Sequence, residues 1–242
     1  MAPLVVRNGV AKSHLVLGPA IVESLYHDPP NNCAIATAVA RIGHELGHVV
    51  DHEWKSSRFG TFAFRPISEF APRQIDQYLW GLSHHLWDEY CANRIVTNVV
   101  KEGLDEVNLF VSARDVYKAR IYEARQRLQL ERISLADFLE VVARNVRLVL
   151  LATGYLLGRA DGERDTGEPT QEVLAALADE RSRDLVAFRS CLAELWDRRE
   201  TWSSYSDFLC INVPTLELLH GLEIFPLEKA DGGVFVSLPL QL

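Results

Sequence analysis

A predominantly helical α+β fold follows from three features of the 242-residue sequence. Apolar residues recur at three- and four-residue spacing over several long stretches, which is the period of one helix face. Short alternating segments occur near the two ends of the chain, where small strands are expected. Hydrophobic residues make up 48% and charged residues 24% of the chain, enough for a buried core and incompatible with wholesale disorder.

The elements are predicted in order along the chain. Leu4 to Val16 alternates around Asn8-Gly9, the pattern of a hairpin. Asp28-Pro29-Pro30-Asn31-Asn32 is a turn cluster whose asparagines can cap a following helix. That helix runs from Ala34 to Trp54, with Ile35, Val39, Ile42, Leu46 and Val49 as its apolar stripe and Thr37, Arg41, His44, His48, Asp51 and His52 beside it. Ser56 to Pro66 reads as a loop. A second helix is expected over about Arg73 to Val100, with Ile75, Leu79, Leu82 and Leu86 facing inward. Ser112-Ala113-Arg114-Asp115 resembles a capping box opening a third helix to about Gln129. Ser134 with Asp137 opens a fourth, Leu135 to about Leu157, apolar all round in its last turns and therefore buried. Gly162 to Pro169 reads as a linker, followed by a charged helix from about Gln171 to Trp202. Ile224 to Leu238 is a plausible closing hairpin around Ala230-Asp231-Gly232-Gly233. The organisation expected is a first region, 1–108, and a helical C-terminal region, 109–242, which can pack as one unit.

Composition narrows the function. A net charge of −8 and a pI near 5.5 argue against direct nucleic-acid binding, which begins with a basic field. The longest apolar run, Leu148 to Leu157, is too short to span a bilayer, so no membrane partner is expected. Cys33, Cys91, Cys191 and Cys210 are widely spaced with no CxxC, which suggests neither a zinc ribbon nor a disulfide framework. The opening MAPLVVRNGV does not have the pattern of a secretory leader. A cytoplasmic protein is the resulting expectation.

One motif carries chemistry: His44-Glu45-Leu46-Gly47-His48, an HExxH inside the first long helix. Residues four apart on a helix share a face, so two imidazoles can converge on one metal ion. Glu45 is rotated about 100° from His44, where it flanks the ion and can take a proton from water. With 8 histidines in the chain, chance would supply this motif on the order of 0.02 times. A third ligand is needed, because catalytic zinc usually takes three protein groups. His52 continues the series 44, 48, 52, but eight helical residues rise about 12 Å and carry it out of reach. Glu89 is the better candidate, with Asn93 one turn on to orient a ligand and small Ala92 between them to admit the first helix. His85, His84 and Asp88 remain competitors for the third position. Tyr78, His84, His85 and Tyr90 are candidate donors to a developing oxyanion.

HELGH followed by Glu89-x-x-Ala92-Asn93 resembles the gluzincin metallopeptidases, and especially the ImmA/IrrE-like group, over roughly residues 34 to 96. The resemblance implies a zincin-like catalytic core with a small N-terminal sheet. It further implies a zinc-dependent endopeptidase in which His44, His48 and Glu89 hold Zn²⁺ and Glu45 is the catalytic base. Its substrate would be a protein or peptide, in the manner of an intracellular regulatory protease. The chain departs from that group after Asn93, where Arg94-Ile95-Val96 replaces an apolar FA-type continuation, and in the long Trp54 to Pro72 segment. Two other functions fit the same motif: a regulatory binding module on an inactive peptidase scaffold, and a zinc hydrolase acting on something other than peptides. A short strand near His14 to Leu17 is expected to align substrate by edge pairing.

Overall fold

Helix α2, Asn32–Phe59, and helix α3, Gln74–Thr97, pack together from Gly43 and Val96 to Lys55 and Asp88, and the rest of the fold is arranged around that contact. The computed structural model describes residues 4–7, 10–13, 15–26, 32–60, 67–97, 100, 105–230 and 232–239. Ahead of this pair stand an antiparallel hairpin, β1 (Leu4–Arg7) with β2 (Val10–Ser13), and a short helix α1 (Pro19–Leu25). Beyond it come α4 (Glu106–Gln129), α5 (Leu135–Thr166), α6 (Gln171–Ala178), α7 (Arg183–Asp197) and α8 (Asn212–Gly221). The chain closes with a second antiparallel hairpin, β3 (Phe225–Glu228) with β4 (Val234–Ser237). The described structure is thus mostly helical, with two separate two-stranded sheets. No helix among the described residues is long and apolar enough to cross a membrane.

Several expected boundaries move. The first long helix extends through Ser56 to Phe59, residues read as loop, and stops where Gly60 takes φ 56°, a left-handed value that glycine adopts without strain. The third helix opens at Glu106 rather than at Ser112, because Val107 and Phe110 extend the buried stripe of Ala113, Tyr117 and Ile121 upstream. Asp115 caps nothing there and instead accepts from Arg114 and Arg181. The Ser134–Asp137 capping box is present, but α5 continues past Leu157 to Thr166, through most of the expected linker. The single charged helix after Gln171 is broken at Asp179, whose extended backbone and side-chain bond to the Arg181 amide start a 3-10 turn, Glu180–Ser182. Strand β2 ends at Ser13, and Leu15 to Leu17 is not strand; His14, the turn residues 27–31 and residues 61–66 lie outside the described residues.

Helix α2 also buries a different face from the one its periodicity predicts. Val39 and Leu46 of the apolar stripe are exposed by 44% and 48%, while His44, Gly47, Asp51 and Lys55 are buried. Burying charge is costly unless it is paired, and here it is paired. Lys55 Nζ lies 2.6 Å from Asp51 Oδ2 and 2.8 Å from Asp88 Oδ1 on α3, and Trp87 Nε1 donates to Asp51 Oδ1 at 2.8 Å. Burial alone would lower the Lys55 pKa, yet the two carboxylates raise it well above the usual lysine value.

The core is continuous across the 108/109 boundary. Leu86, Trp87 and Tyr90 of α3 share it with Val149 and Leu157 of α5 and with Phe208 and Leu219 near the C-terminus. Each such side chain, fully buried, contributes roughly 1.5–3 kcal/mol. Small residues set the spacing of the layers. A Cβ on Gly47 would lie 2.7 Å from the Ala92 backbone, so α2 and α3 touch main chain to main chain. On the other side of α3, Gly154, Gly158 and Gly162 form a stripe along α5, where added Cβ atoms would meet the carbonyl oxygens of Leu86, Tyr90 and Arg94 at 2.6, 2.4 and 2.8 Å.

The same substitution should therefore act with opposite sign at two helical glycines. Gly158→Ala forces backbone apart and is expected to destabilise by about 1–3 kcal/mol, the overpacking range. Gly81→Ala meets nothing within 4 Å and should stabilise by up to about 1 kcal/mol through helix propensity. Urea unfolding of the two variants beside the parent measures both.

Candidate metal centre

The α2–α3 contact brings three side chains to a point. His44 and His48 sit one turn apart on α2, and Glu89 reaches them from α3. His44 Nε2 lies 3.1 Å from His48 Nε2 and 3.0 Å from Glu89 Oε2, and His48 Nε2 is 3.6 Å from Glu89 Oε2. Ligands at 2.0–2.1 Å in a tetrahedron around zinc are separated by about 3.3 Å, so the triangle has the size of one tetrahedral face. His44 is 7% exposed, and Glu89 Oε2 is a buried oxygen with no ordinary hydrogen-bond partner. His44, His48 and Glu89 are, among the described residues, the group positioned to hold a metal ion.

The proton inventory makes the case sharper. Asn93 Nδ2 donates to the Tyr155 carbonyl at 3.0 Å, which turns its Oδ1 toward His44 Nδ1 at 2.8 Å. A carbonyl only accepts, so the amide orientation follows, and Asn93 Oδ1 must receive the Nδ1 proton of His44. Neutral His44 then presents a bare lone pair at Nε2. That lone pair faces a carboxylate oxygen and a second imidazole nitrogen within 3.1 Å. Two imidazole nitrogens and a carboxylate oxygen meeting in a buried place are held together by a cation or by a proton shared between them.

The titration behaviour reflects the same crowding. Burial pushes the Glu89 carboxyl up, but the neighbouring imidazoles of His44 and His48 prevail and hold it well below the usual carboxylate range. For His48, burial is outweighed by Glu89, with smaller help from Asp88 and Asp51, and its pKa rises.

Tyr155 of α5 completes the site, and sequence reasoning did not single it out. Its ring stacks on His44 with centroids 5.2 Å apart and planes inclined by 22°. Burial, then the Glu89 charge, raise the pKa of its hydroxyl far above the ordinary tyrosine value. The Glu45 charge adds a smaller contribution in the same direction. The available signal was the glycine stripe. Spacing of four residues from Gly154 to Gly162 marks a helix pressed against a neighbour, and Tyr155 follows the first glycine.

The remaining candidates lie elsewhere. Tyr90, expected as an oxyanion donor, gives its hydroxyl proton to Asp161 at 2.9 Å and accepts from Arg94 at 2.7 Å, tying α3 to α5 inside the core. His84 bonds the Trp80 carbonyl at 3.1 Å and packs against the His85 ring. The His85 side chain is half exposed and 4.0 Å from Asp88, whose carboxylate is held by Lys55. None of these three competitors joins the His44–His48 pair. His52 pairs with Ser13 Oγ at 3.0 Å and anchors β2 to α2. Tyr78 is packed against the core.

Comparison with models of known protein families, with curated proteins and with solved structures found no match.

Asn93 touches no metal position and acts through His44. Replacing it with alanine frees the imidazole to rotate and to change tautomer. Asn93→Ala is expected to weaken zinc binding about 10–100-fold, the usual cost of losing a ligand-orienting partner, in competition titrations against a chromophoric chelator.

Proposed function

We propose that this chain is a zinc-dependent peptidase built on a zincin-like core, with His44, His48 and Glu89 as ligands and Glu45 as general base. The observation that carries the reading is the convergence of two imidazole nitrogens of α2, the helix that also bears Glu45, with the Glu89 carboxylate of α3. Two imidazoles and one carboxylate suit zinc, and three protein donors are the catalytic rather than the structural number. When bound, zinc supplies Lewis acidity toward a carbonyl oxygen and acidifies water toward neutral pH.

The chain's own residues supply the rest. Glu45, one position on from His44, accepts a proton from the attacking water and returns it to the leaving amine nitrogen. Tyr155, kept protonated by its raised pKa, donates its hydroxyl to the oxygen on which negative charge develops. Asn93 holds His44 in the tautomer that leaves Nε2 free, and the stack on Tyr155 restrains the ring's tilt. Strand β2 is pinned to α2 through Ser13 and His52 and takes the substrate-aligning role in place of the expected His14–Leu17 strand. A cytoplasmic, regulatory setting is in keeping with four free cysteines and with the resemblance to ImmA/IrrE-like peptidases.

The test is hydrolysis of a denatured-protein or mixed-peptide substrate by zinc-loaded protein. Glu45→Gln should retain one equivalent of zinc and lose at least about 10³-fold in rate. Tyr155→Phe should retain zinc and lose about 10²–10³-fold in kcat, the cost of one oxyanion donor. Full activity in Glu45→Gln removes the catalytic assignment. Stable zinc with no turnover in the parent protein favours the binding-module function instead.

A further inference from the structure

A cavity of about 470 Å³ opens between the first turns of α4 and the middle of α5, lined by Asp105, Glu106, Asn108, Leu109, Ser112 and Tyr155. Tyr155 belongs to both places: one face of its ring stacks on His44, and its edge walls the cavity. A chain whose scissile carbonyl lies at the His44–His48–Glu89 centre therefore has this cavity within reach of an adjacent side chain. The volume lies within the usual 300–1,000 Å³ range of ligand pockets, roomy for a long side chain.

The chemistry of the walls is asymmetric. Leu109, 38% exposed, and the Tyr155 ring offer apolar surface suited to an aliphatic stem. The polar end is acidic. Asp105 precedes the first residue of α4 but makes no side-chain cap to the helix backbone; its Oδ1 accepts from Asn108 Nδ2 at 2.7 Å, leaving the second oxygen for a ligand. Glu106 is buried and 3.2 Å from Arg159, which is itself shared with Glu163 at 2.9 Å. Arg159 compensates Glu106, so the negative charge left over in the lining is that of Asp105. Among the described residues that line the cavity there is no cation. An apolar wall beside the Asp105 carboxylate favours a long cationic group and repels an acidic one.

We propose that this cavity is the specificity pocket of the site and selects a lysine or arginine side chain next to the cleaved bond. The assignment rests on reading the centre as a peptidase, but the pocket's preference for charge is measurable without turnover. The probes are the Nα-acetyl methylamides of lysine, arginine, norleucine and glutamate, titrated into the full-length protein and followed by NMR at the Leu109 methyl groups. Lysine and arginine should shift those signals and saturate at least fivefold lower in concentration than norleucine, with glutamate weakest. Raising the salt concentration should narrow the gap, as expected for a partly exposed charge. Asp105→Lys, at an exposed position with no cap to lose, should abolish the preference, and Asp105→Asn should reduce it. Norleucine binding as tightly as lysine, a lysine preference that survives Asp105→Lys, or no shift with any probe overturns the proposal. Failure of Glu45-dependent hydrolysis leaves these shifts unchanged, so failure of the peptidase reading and failure of the pocket assignment are told apart.

Discussion

Two imidazole nitrogens and a carboxylate oxygen are held within 3.6 Å of one another in a buried place, and the rest of the structure depends on how that arrangement is imposed. Two imidazoles one turn apart on α2 supply part of it. The carboxylate must come from another helix, and it reaches the imidazoles because Gly47 and Ala92 let α2 and α3 touch at their backbones. A single methyl group at Gly47 would push the helices apart and open the triangle. Backbone packing and ligand distance are therefore one constraint seen from two sides.

Helix α5 backs this contact from behind. Its glycine stripe brings it against α3 closely enough for the Tyr155 carbonyl to orient Asn93 and for the Tyr155 ring to cover His44. One residue thus sets the tautomer of His44 through its main chain and covers the same imidazole with its ring. Farther along α2, the Asp51–Lys55–Asp88 cluster and the Trp87 indole continue the polar seam between the helices. That seam orders the two helices over more than one turn, so His44, His48 and Glu89 are held in place by packing rather than by one another. Such preorganisation distinguishes a built site from histidines that happen to be neighbours.

Much of this was legible in the sequence because it is local. HELGH, Glu89 and Asn93 are spaced at three and four residues, and helical geometry alone puts each set on one face. The Ser134–Asp137 cap and both terminal hairpins are likewise written in adjacent residues. What escaped reading is non-local. Tyr155 is 62 residues from Asn93, and no short-range rule joins them. The face of α2 was misjudged for a related reason: Val39 and Leu46 fit an inward apolar stripe, and only the pairing of Asp51 and Lys55 with α3 reverses the choice. A clue was present in the spacing, since His44, His48, Asp51 and Lys55 fall on one helical face. Periodicity identifies faces; it does not say which one is buried when the polar face has partners.

The most direct test of the central claim is the X-ray absorption spectrum of the zinc-loaded protein. The account predicts a four-coordinate ion with two imidazoles, recognised by ring multiple scattering, and oxygen donors at about 2.0–2.2 Å, with one imidazole lost in His48→Ala. Sulfur scattering near 2.3 Å, absence of imidazole scattering, or a spectrum unchanged by that substitution would contradict it.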